Sequence, residues 1–319
     1  MFSYNEGIQI NGTNLWLDAE KKVNLSFISH AHRDHIRRHR QIISTEKTLS
    51  FYRKRIGLVD TIALAYAQPI EIEGMKIQLL PAGHILGSAQ ILIEKNGQRL
   101  LYTGDFRVKP SLTAENIQVV EADILIMECT FGLPKYIFPP AEEIRNELFQ
   151  FIEKCFANHL TPVVLGYTLG KGQEALKLLG NLGFTTRVYK SIFEFAKIYE
   201  YYGVRFGDYS LFEGVVNSGE VLLMSPHSVY KLSSTKVPNQ SRLILTGWAM
   251  DSGCTYRYHV QEALPMSDHA GYDELINFVK GVRPRKIYTT HGPEEFSYLL
   301  RDMGFDAEPL NPKHQLALF

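Results

Sequence analysis

The stretch Ser29-His30-Ala31-His32-Arg33-Asp34-His35 decides how the rest of this sequence is interpreted. Three imidazoles and one carboxylate fall within six positions, directly after the apolar run Leu25–Ile28, which predicts a buried strand. Neutral imidazole and carboxylate are the ligands that borderline-soft divalent metals prefer. The alternative is a solvated basic face built on the arginines between residues 33 and 40, but this does not explain the clustered ligands. The stretch predicts a site that can hold two metal ions.

The composition argues against a disordered, a strongly basic, a disulfide-bonded or a membrane-spanning protein. The 319 residues are 45% hydrophobic and 21% charged, which is typical of a folded chain with one large or two medium cores. The formal net charge is zero, so any nucleic-acid binding requires a local basic groove. Three distant cysteines without a Cys-x-x-Cys motif indicate reduced thiols in a cytoplasmic protein. Neither a signal peptide nor a membrane-spanning apolar run is visible, so we expect no export and no membrane span.

Ligand-type residues recur directly after predicted strands. The strands and the residues that follow them are Met75–Leu80 before His84, Arg99–Tyr102 before Asp105, Asp123–Met127 before Glu128, and Arg285–Thr290 before His291. Open α/β sheets bind ligands at the carboxyl ends of their strands. We therefore expect these residues and His30 to meet along one sheet edge.

The middle of the chain has a different character. The segment Phe131–Pro140 contains several prolines and marks a boundary. After it, the sequence predicts alternating helices and strands: helix Ala141–Asn158, strand Pro162–Leu165, helix Gln173–Leu179, helix Ser191–Tyr202, strand Glu220–Met224 and strand Arg242–Thr246. This alternation is typical of a small α/β domain with a parallel sheet.

These residues resemble the metallo-β-lactamase fold, and within it the β-CASP nuclease branch. The His-x-His-x-Asp-His motif, the lone His and the Gly-Asp pair match residues 30–35, His84 and Gly104-Asp105. The motifs of the branch itself match Glu128–Gly132, Ser267–Ala270 and Thr290–Gly292, with Cys129 and Phe131 where many members have serine and tyrosine. The compact prokaryotic members, DNA-ligase-associated or messenger-RNA 3′-end-processing-type exonucleases, are the most similar.

The resemblance implies a mixed α/β (α+β) fold, an αββα metallo-β-lactamase sandwich interrupted by an α/β β-CASP insert. The sandwich would comprise residues 1–133 and 264–319, and the insert residues 134–263. One strand of DNA or RNA is the implied substrate.

The resemblance also implies a site with two zinc ions, with manganese as an alternative. His30, His32 and His84 would hold one ion, Asp34, His35 and His291 the other, and Asp105 would bridge them. Such a pair lowers the pKa of a shared water, so that hydroxide forms near neutral pH, and neutralises a phosphate oxygen.

Phosphodiester cleavage also requires a proton for the leaving oxygen, and His269 is the candidate general acid, oriented by Glu128. Two alternatives for His269 stay open: an additional metal ligand, or a residue at a helix start. For Glu128 the alternative is an ordinary salt bridge.

Gly170, Lys171, Ser225 and Trp248 are candidate nucleic-acid contacts. The run Gly166-x-x-x-Gly170-Lys171-Gly172 is one residue short of a P-loop and lacks the magnesium-binding serine or threonine, so we reject nucleotide hydrolysis. The turn could bind a backbone phosphate, or be a plain helix start with an exposed lysine. Trp248 could stack on a base or belong to the core.

These motifs bear on three possible functions. A catalytically silent nucleic-acid-binding subunit predicts lost ligands, yet every motif position is filled. A small-molecule hydrolase predicts no insert and no Ser-Asp-His-Ala motif, yet the sequence contains both. A two-zinc nuclease fits best: a DNA exonuclease that works with a ligase-containing repair system, with RNA processing as the alternative.

Overall fold

The computed structural model describes residues 1–229 and 237–310. The chain divides into two compact units. Unit 1 consists of Met1–Tyr136 with the described residues from His269 onward, and unit 2 is Ile137–Asp268. The sequence-based boundaries, at residues 133–134 and 263–264, lie a few residues before each of these divisions. Residues 311–319, which were assigned to the sandwich, lie outside the described part of the chain.

The elements follow one another in three segments of the chain. The first segment contains β1 (Phe2–Tyr4), β2 (Ile8–Ile10), β3 (Leu15–Leu17), β4 (Leu25–Phe27), β5 (Gln41–Ser44), α1 (Glu46–Ile56), β6 (Asp60–Ala63), β7 (Ile70–Ile72), β8 (Met75–Pro81), β9 (Ala89–Lys95), β10 (Gln98–Tyr102) and β11 (Ile124–Glu128). The second contains α2 (Ala141–Ala157), β12 (Thr161–Leu165), α3 (Lys171–Asn181), β13 (Thr185–Val188), α4 (Lys190–Tyr201), β14 (Tyr209–Leu211), β15 (Glu220–Met224), α5 (Pro226–Val229), β16 (Gln240–Leu245), a 3₁₀ helix (Gly247–Met250), α6 (Cys254–Tyr258) and β17 (Glu262–Leu264). The third contains α7 (Tyr272–Val282), β18 (Lys286–Thr290), α8 (Glu295–Asp302) and β19 (Ala307–Pro309).

Unit 1 contains two sheets that pack face to face. The first sheet has the strand order β1-β2-β3-β4-β5-β6, and the second has the order β19-β18-β11-β10-β9-β8-β7. Apolar residues of both sheets share one core, in which Phe27 of the first sheet contacts Tyr102 of the second at a ring distance of 6.5 Å. Burial of this apolar area is the main force that holds the two sheets together.

Helices cover the outer faces of both sheets. Leu49 and Tyr52 of α1 pack with Ile42 of the first sheet, and Thr45 caps this helix by accepting a hydrogen bond from the Thr48 amide. Helices α7 and α8 pack on the outer face of the second sheet in the same way. Unit 1 is therefore an αββα sandwich, which confirms the predicted fold class.

Unit 2 is built on a sheet of parallel strands in the order β14-β13-β15-β12-β16-β17. Side chains of β12 alternate between its faces, since Val164 packs with helices α2, α3 and α4, whereas Val163 packs on the other side with α5 and α6. The parallel α/β arrangement predicted for this region is confirmed. Within the described residues, no helix is both long and apolar enough to span a bilayer.

The prediction of one shared sheet edge was wrong. His84, Asp105, Glu128 and His291 lie at one end of the second sheet, because β8, β10, β11 and β18 all run in the same direction. His30 instead follows β4 of the first sheet. The candidate ligands therefore come from the strand ends of two packed sheets, and the apolar runs alone could not show how the strands divide between sheets.

Candidate metal centre

Three groups of potential ligands in unit 1 share the carboxylate of Asp105. Two of them consist otherwise of histidines, and the third joins Asp105 to Glu128 and His269, so the alternative of His269 as an additional ligand stays open. In each group, one ligand atom per residue lies within 4.8 Å of the others. The first group is His30, His32, His84 and Asp105, and the second is His35, Asp105 and His291. These residues are spread over most of the chain, and the strand ends of the two sheets bring them together.

The first group surrounds one oxygen of Asp105. His30 Nε2 lies 3.4 Å and His84 Nε2 lies 3.8 Å from Asp105 Oδ2. His32 Nδ1 lies 3.1 Å from His84 Nε2. Three imidazole nitrogens and a carboxylate oxygen form the donor set expected for a tetrahedral zinc ion.

The second group uses the other oxygen of the same carboxylate. His35 Nε2 lies 3.4 Å from Asp105 Oδ1, and the rings of His35 and His291 are 4.8 Å apart. Asp34 is not a member of this group, although its Oδ2 lies 3.8 Å from His35 Nε2. The Asp34 side chain is 62% exposed, so it occupies the solvent-facing side of this group.

Two buried ring nitrogens show that the donor set fits a metal. Among the described residues, neither His30 Nε2 nor His35 Nε2 has a hydrogen-bond partner, although both atoms are buried. A buried polar atom without a partner costs free energy, about 1–3 kcal/mol. Both nitrogens face Asp105, each toward a different carboxylate oxygen, and a cation beside each nitrogen and its nearer oxygen would satisfy all three residues.

Burial and mutual charge set the protonation of this cluster. Burial lowers the pKa of His30 well below its usual value, which favours the neutral ligand form. Burial also opposes a charge on His35, but Asp105 and Asp18 outweigh it and raise the pKa of His35. Burial alone would raise the pKa of Asp105, yet His35 and His30 hold it well below its usual range. Asp105 is therefore ionised.

Asp18 is a site residue that the sequence analysis missed. Its buried carboxylate accepts four hydrogen bonds, from the Ser29 amide (2.8 Å), Ser29 Oγ (2.5 Å), Tyr102 Oη (2.9 Å) and His35 Nδ1 (2.9 Å). The last bond fixes the proton of His35 on Nδ1 and turns Nε2 toward Asp105. Asp18 directly follows β3, so the rule applied to the other strand ends would have found it.

Gly104 allows the two sheets to approach each other at the site. Its φ of 55° lies in the left-handed region, and a Cβ atom here would lie 2.5 Å from the Cβ of Ser29. Close by, the Ala89 amide donates to the Ser29 carbonyl over 2.8 Å. The Gly-Asp pair therefore combines a ligand with the glycine that brings it next to the end of β4.

Glu128 and His269 form a pair beside the first group. His269 Nδ1 donates to Glu128 Oε1 over 2.7 Å, and the rings of His269 and His84 are 4.6 Å apart. Glu128 is buried and also accepts hydrogen bonds from the amides of Phe106 and Thr130. Because backbone groups hold the carboxylate, it fixes the orientation of the His269 ring.

The segment after Glu128 is joined to the segment that carries His291. The Cys129 amide donates to the Thr290 carbonyl over 2.9 Å, and Thr130 Oγ1 donates to the His291 carbonyl over 3.0 Å. A side chain at Gly292 would collide with the Cys129 carbonyl group. The glycine after His291 is therefore required for this contact between the segments that follow β11 and β18.

The structure places the four candidate nucleic-acid contacts in unit 2. Lys171 is the first residue of α3 and is buried, with its Nζ 2.7 Å from Asp268 Oδ1, so the exposed-lysine alternative was wrong. Gly170 precedes this helix with a φ of 85°. Ser225 Oγ is buried 2.8 Å from Ser228 Oγ, and Trp248 is half-buried in the 3₁₀ helix rather than part of the core.

A family model and two proteins of known sequence are similar to this chain. A family model described as "Zn-dependent metallo-hydrolase RNA specificity domain" matches residues 257–308. A protein of Opitutus terrae named "Probable DNA ligase" is 35% identical over 321 residues, covering 99% of this chain and 31% of the relative. An "RNase J-like protein" of Methanocaldococcus jannaschii is 24% identical over 350 residues, covering 86% of this chain and 82% of the relative.

The chain belongs to the metallo-β-lactamase β-CASP nuclease family. This β-CASP chain spans about a third of the ligase relative, 31% of its length. A crystal structure of a protein of unknown function from Enterococcus faecalis V583 shares the fold, with a TM-score of 0.57 at 14% identity over 84% of this chain and 75% of the other. The β-CASP family processes nucleic acids, which fits the donor set described above.

Proposed function

We propose that this protein is a metal-dependent nuclease that hydrolyses phosphodiester bonds in single-stranded DNA, as an exonuclease acting in DNA repair. The observation that supports this most directly is the pair of ligand groups sharing Asp105, with the Glu128–His269 pair beside them. A nuclease requires a site for activating water, a site for neutralising phosphate charge and a proton donor. The end of this one sandwich provides candidate groups for each of these tasks.

In this proposal, zinc is the resident metal and manganese is the alternative. His30, His32 and His84 would hold one ion, His35, His291 and Asp34 the other, and Asp105 would contact both. When bound, such ions lower the pKa of water and neutralise a phosphate oxygen. Asp18 would act on the second ion indirectly, because it holds the proton of His35 on the nitrogen that faces away from the site.

His269 is the proposed general acid. The attacking water releases one proton to the solvent and its oxygen forms a bond to phosphorus, the bond from phosphorus to the leaving oxygen breaks, and His269 donates a proton to that leaving oxygen. The products are an alcohol and a phosphate monoester. Glu128 both orients the imidazole and stabilises its protonated form. Because Nδ1 is held by Glu128, the transferred proton comes from Nε2.

Residues 134–263 correspond to the proposed β-CASP insert, which is contained almost entirely in unit 2. Gly170, Ser225 and Trp248 stay proposed nucleic-acid contacts there. Lys171 is a weaker candidate than its sequence motif indicated, because Asp268 already neutralises its ammonium group. We also propose a cytoplasmic location, because Cys129, Cys155 and Cys254 are free, buried thiols.

The choice of DNA is supported by the ligase relative. A sequence similar to 99% of this chain forms part of a protein named as a DNA ligase. A nuclease that trims single-stranded ends leaves termini that a ligase of the same repair system can join. RNA cleavage is the second candidate, favoured by the RNA specificity description of the family model and by the RNase J-like relative.

Matched single-stranded DNA and RNA oligonucleotides, each labelled at either end, test the proposal. The zinc-loaded protein should shorten the DNA stepwise from one end, and the two labels reveal the direction. His269→Ala should slow cleavage strongly while zinc content measured by elemental analysis stays unchanged. Preferred cleavage of RNA would favour the second candidate. Full activity after removal of all divalent metal would contradict both.

A further inference from the structure

A cleft on unit 1 lies at the opposite end of the first sheet from the metal centre. It has a volume of about 600 Å³ and is lined by Asn14, Trp16, Lys22, Val23, Asn24, Arg38, His39 and Arg40. Residues 22–24 lead into β4 and residues 38–40 lead into β5, whereas His30 follows the other end of β4. Asn24 of the cleft and His30 of the metal centre are six residues apart, which is a span of about 20 Å along an extended chain of the same unit.

The charge of the cleft differs sharply from that of the whole chain. Lys22, Arg38 and Arg40 are cationic, and the described residues that line the cleft include no carboxylate. At its edge, Lys21 lies 4.7 Å above the ring of Trp16 and is paired with Glu6 over 3.6 Å, so it adds no net charge. One carboxylate, that of Glu73, accepts hydrogen bonds from Asn14, and the three lining cations outnumber it. Since the chain as a whole has a formal net charge of zero, these cations form a local positive surface.

Hydrogen bonds hold the walls of the cleft in place. The guanidinium of Arg38 donates to the carbonyls of Ile56 and Leu58, both over 3.2 Å. The Val23 amide donates to the buried Nδ1 of His39, and the Arg40 amide donates to the Val23 carbonyl. The cationic groups are therefore mounted on a fixed backbone, and binding of a ligand would cost little ordering entropy.

The cleft also combines charge with a half-exposed aromatic ring, which the ammonium of Lys21 already overlies on one face. Trp16 lies in β3, where its neighbours Leu15 and Leu17 are buried and Trp16 itself points to the partly exposed side. Cationic grooves that carry an aromatic platform are the usual way in which proteins bind single strands, with phosphates on the cations and a base stacked on the ring. Stacking of this kind contributes irrespective of base identity.

A basic segment connects the cleft with the metal centre. The loop that leaves His30 and His32 continues through Arg33 and Arg37, both exposed, before it reaches Arg38 and Arg40. We propose that the cleft binds the phosphate backbone of a single-stranded polynucleotide, with one base stacked on Trp16, at nucleotides remote from the reacting phosphate. This inference rests on the proposed function and adds a binding surface to it.

Binding measured without metal tests the cleft separately from cleavage. The probe is a long, fluorescently labelled single-stranded DNA, and fluorescence anisotropy gives its affinity for the EDTA-treated protein at several salt concentrations. The test variant is Lys22→Ala/Arg40→Ala. The matched control is Arg283→Ala/Arg285→Ala, two exposed cations of the same unit that do not line the cleft.

Each phosphate contact to a single strand contributes about 0.7 to the slope of log affinity against log salt. Loss of two contacts should lower the slope by about 1.4, whereas the control should keep the wild-type slope. Between about 50 and 200 mM salt, the wild type should then lose about sevenfold more affinity than the test variant.

Equal slopes for wild type and test variant would overturn the proposal, and so would an equal fall in the control. A third variant, Trp16→Ala, should weaken binding without changing the slope, because it removes stacking and no charge. A protein that shows these differences but cleaves neither DNA nor RNA when loaded with metal would refute the nuclease function and leave the cleft assignment supported.

Discussion

Replacing Asp18 by asparagine should weaken metal binding without removing any proposed ligand. Asp18 Oδ2 accepts hydrogen bonds from Ser29 Oγ, Tyr102 Oη and His35 Nδ1. In the Asp18→Asn variant, the amide oxygen keeps the bond from the Ser29 amide, so the NH₂ group replaces Oδ2 and meets three former donors. His35 Nδ1 must then become an acceptor, which moves the ring proton to Nε2, the atom that faces Asp105.

A proton on Nε2 blocks the nitrogen that would bind the metal. Loss of such an orienting group typically costs about 10–100-fold in metal affinity, which corresponds to about 1.4–2.7 kcal/mol. Competition between the protein and a fluorescent zinc chelator should show this loss for one class of site, while the class that contains His30 and His84 keeps its affinity. Circular dichroism checks that the variant is folded.

Tyr102→Phe is the matched control for this experiment. It removes one hydrogen bond to Asp18 and leaves the carboxylate free to accept from His35. We expect its zinc affinity to stay within a few-fold of wild type. If Asp18→Asn bound zinc as tightly as this control at every site, the proposed role of Asp18 in fixing the His35 tautomer would be refuted.

Substitutions elsewhere test the charge and packing arguments. Two hydrogen bonds from the guanidinium of Arg187 lower the pKa of Glu220 from 4.5 to about 2. The ionised Glu220 therefore contributes its full stabilisation of the fold above pH 4.5, and this contribution is lost as the pH falls toward 2. The difference in unfolding free energy between wild type and Glu220→Gln should shrink accordingly in urea titrations at decreasing pH, and a constant difference would contradict this. Lys171→Ala should lower the unfolding free energy by about 3–5 kcal/mol, because Asp268 loses its neutralising ammonium; Lys171→Arg should recover part of it, and an unchanged urea midpoint would refute the buried pair. Gly292→Ala should lower the free energy of unfolding by about 3 kcal/mol in thermal unfolding, because its Cβ would collide with the Cys129 carbonyl, and an unchanged melting temperature would contradict this.

Much of the fold could be predicted from apolar runs and turn residues. Asn-Gly pairs between apolar runs predict tight hairpins, and the hairpins at Asn11-Gly12 and Asn96-Gly97 both form, with φ angles of 73° and 75° at the two glycines. Short edge strands were missed. Strands such as β14 (Tyr209–Leu211) and β19 (Ala307–Pro309) are too short to give a periodic signal, and their pairing depends on neighbours distant in sequence.

The site was predictable where ligand chemistry and strand ends coincide, and less so elsewhere. The sequence places His84 and Asp105 after clear apolar runs, and the structure brings both to the same cluster. Lys171 shows the limit of this reasoning. Its burial depends on Asp268, a partner almost a hundred residues away, and no local pattern reveals such a pair.

The order in which the chain is made has a consequence for metal loading. Every member of the first ligand group, His30 to Asp105, precedes unit 2 in the chain, whereas the second group is incomplete until His291 has been synthesised. His291 takes its place only when β18 adds beside β11, a pairing that spans more than half of the sequence and is slow to form for that reason. We therefore expect a nascent or truncated chain to acquire one cation early and the other only after the last strands have docked.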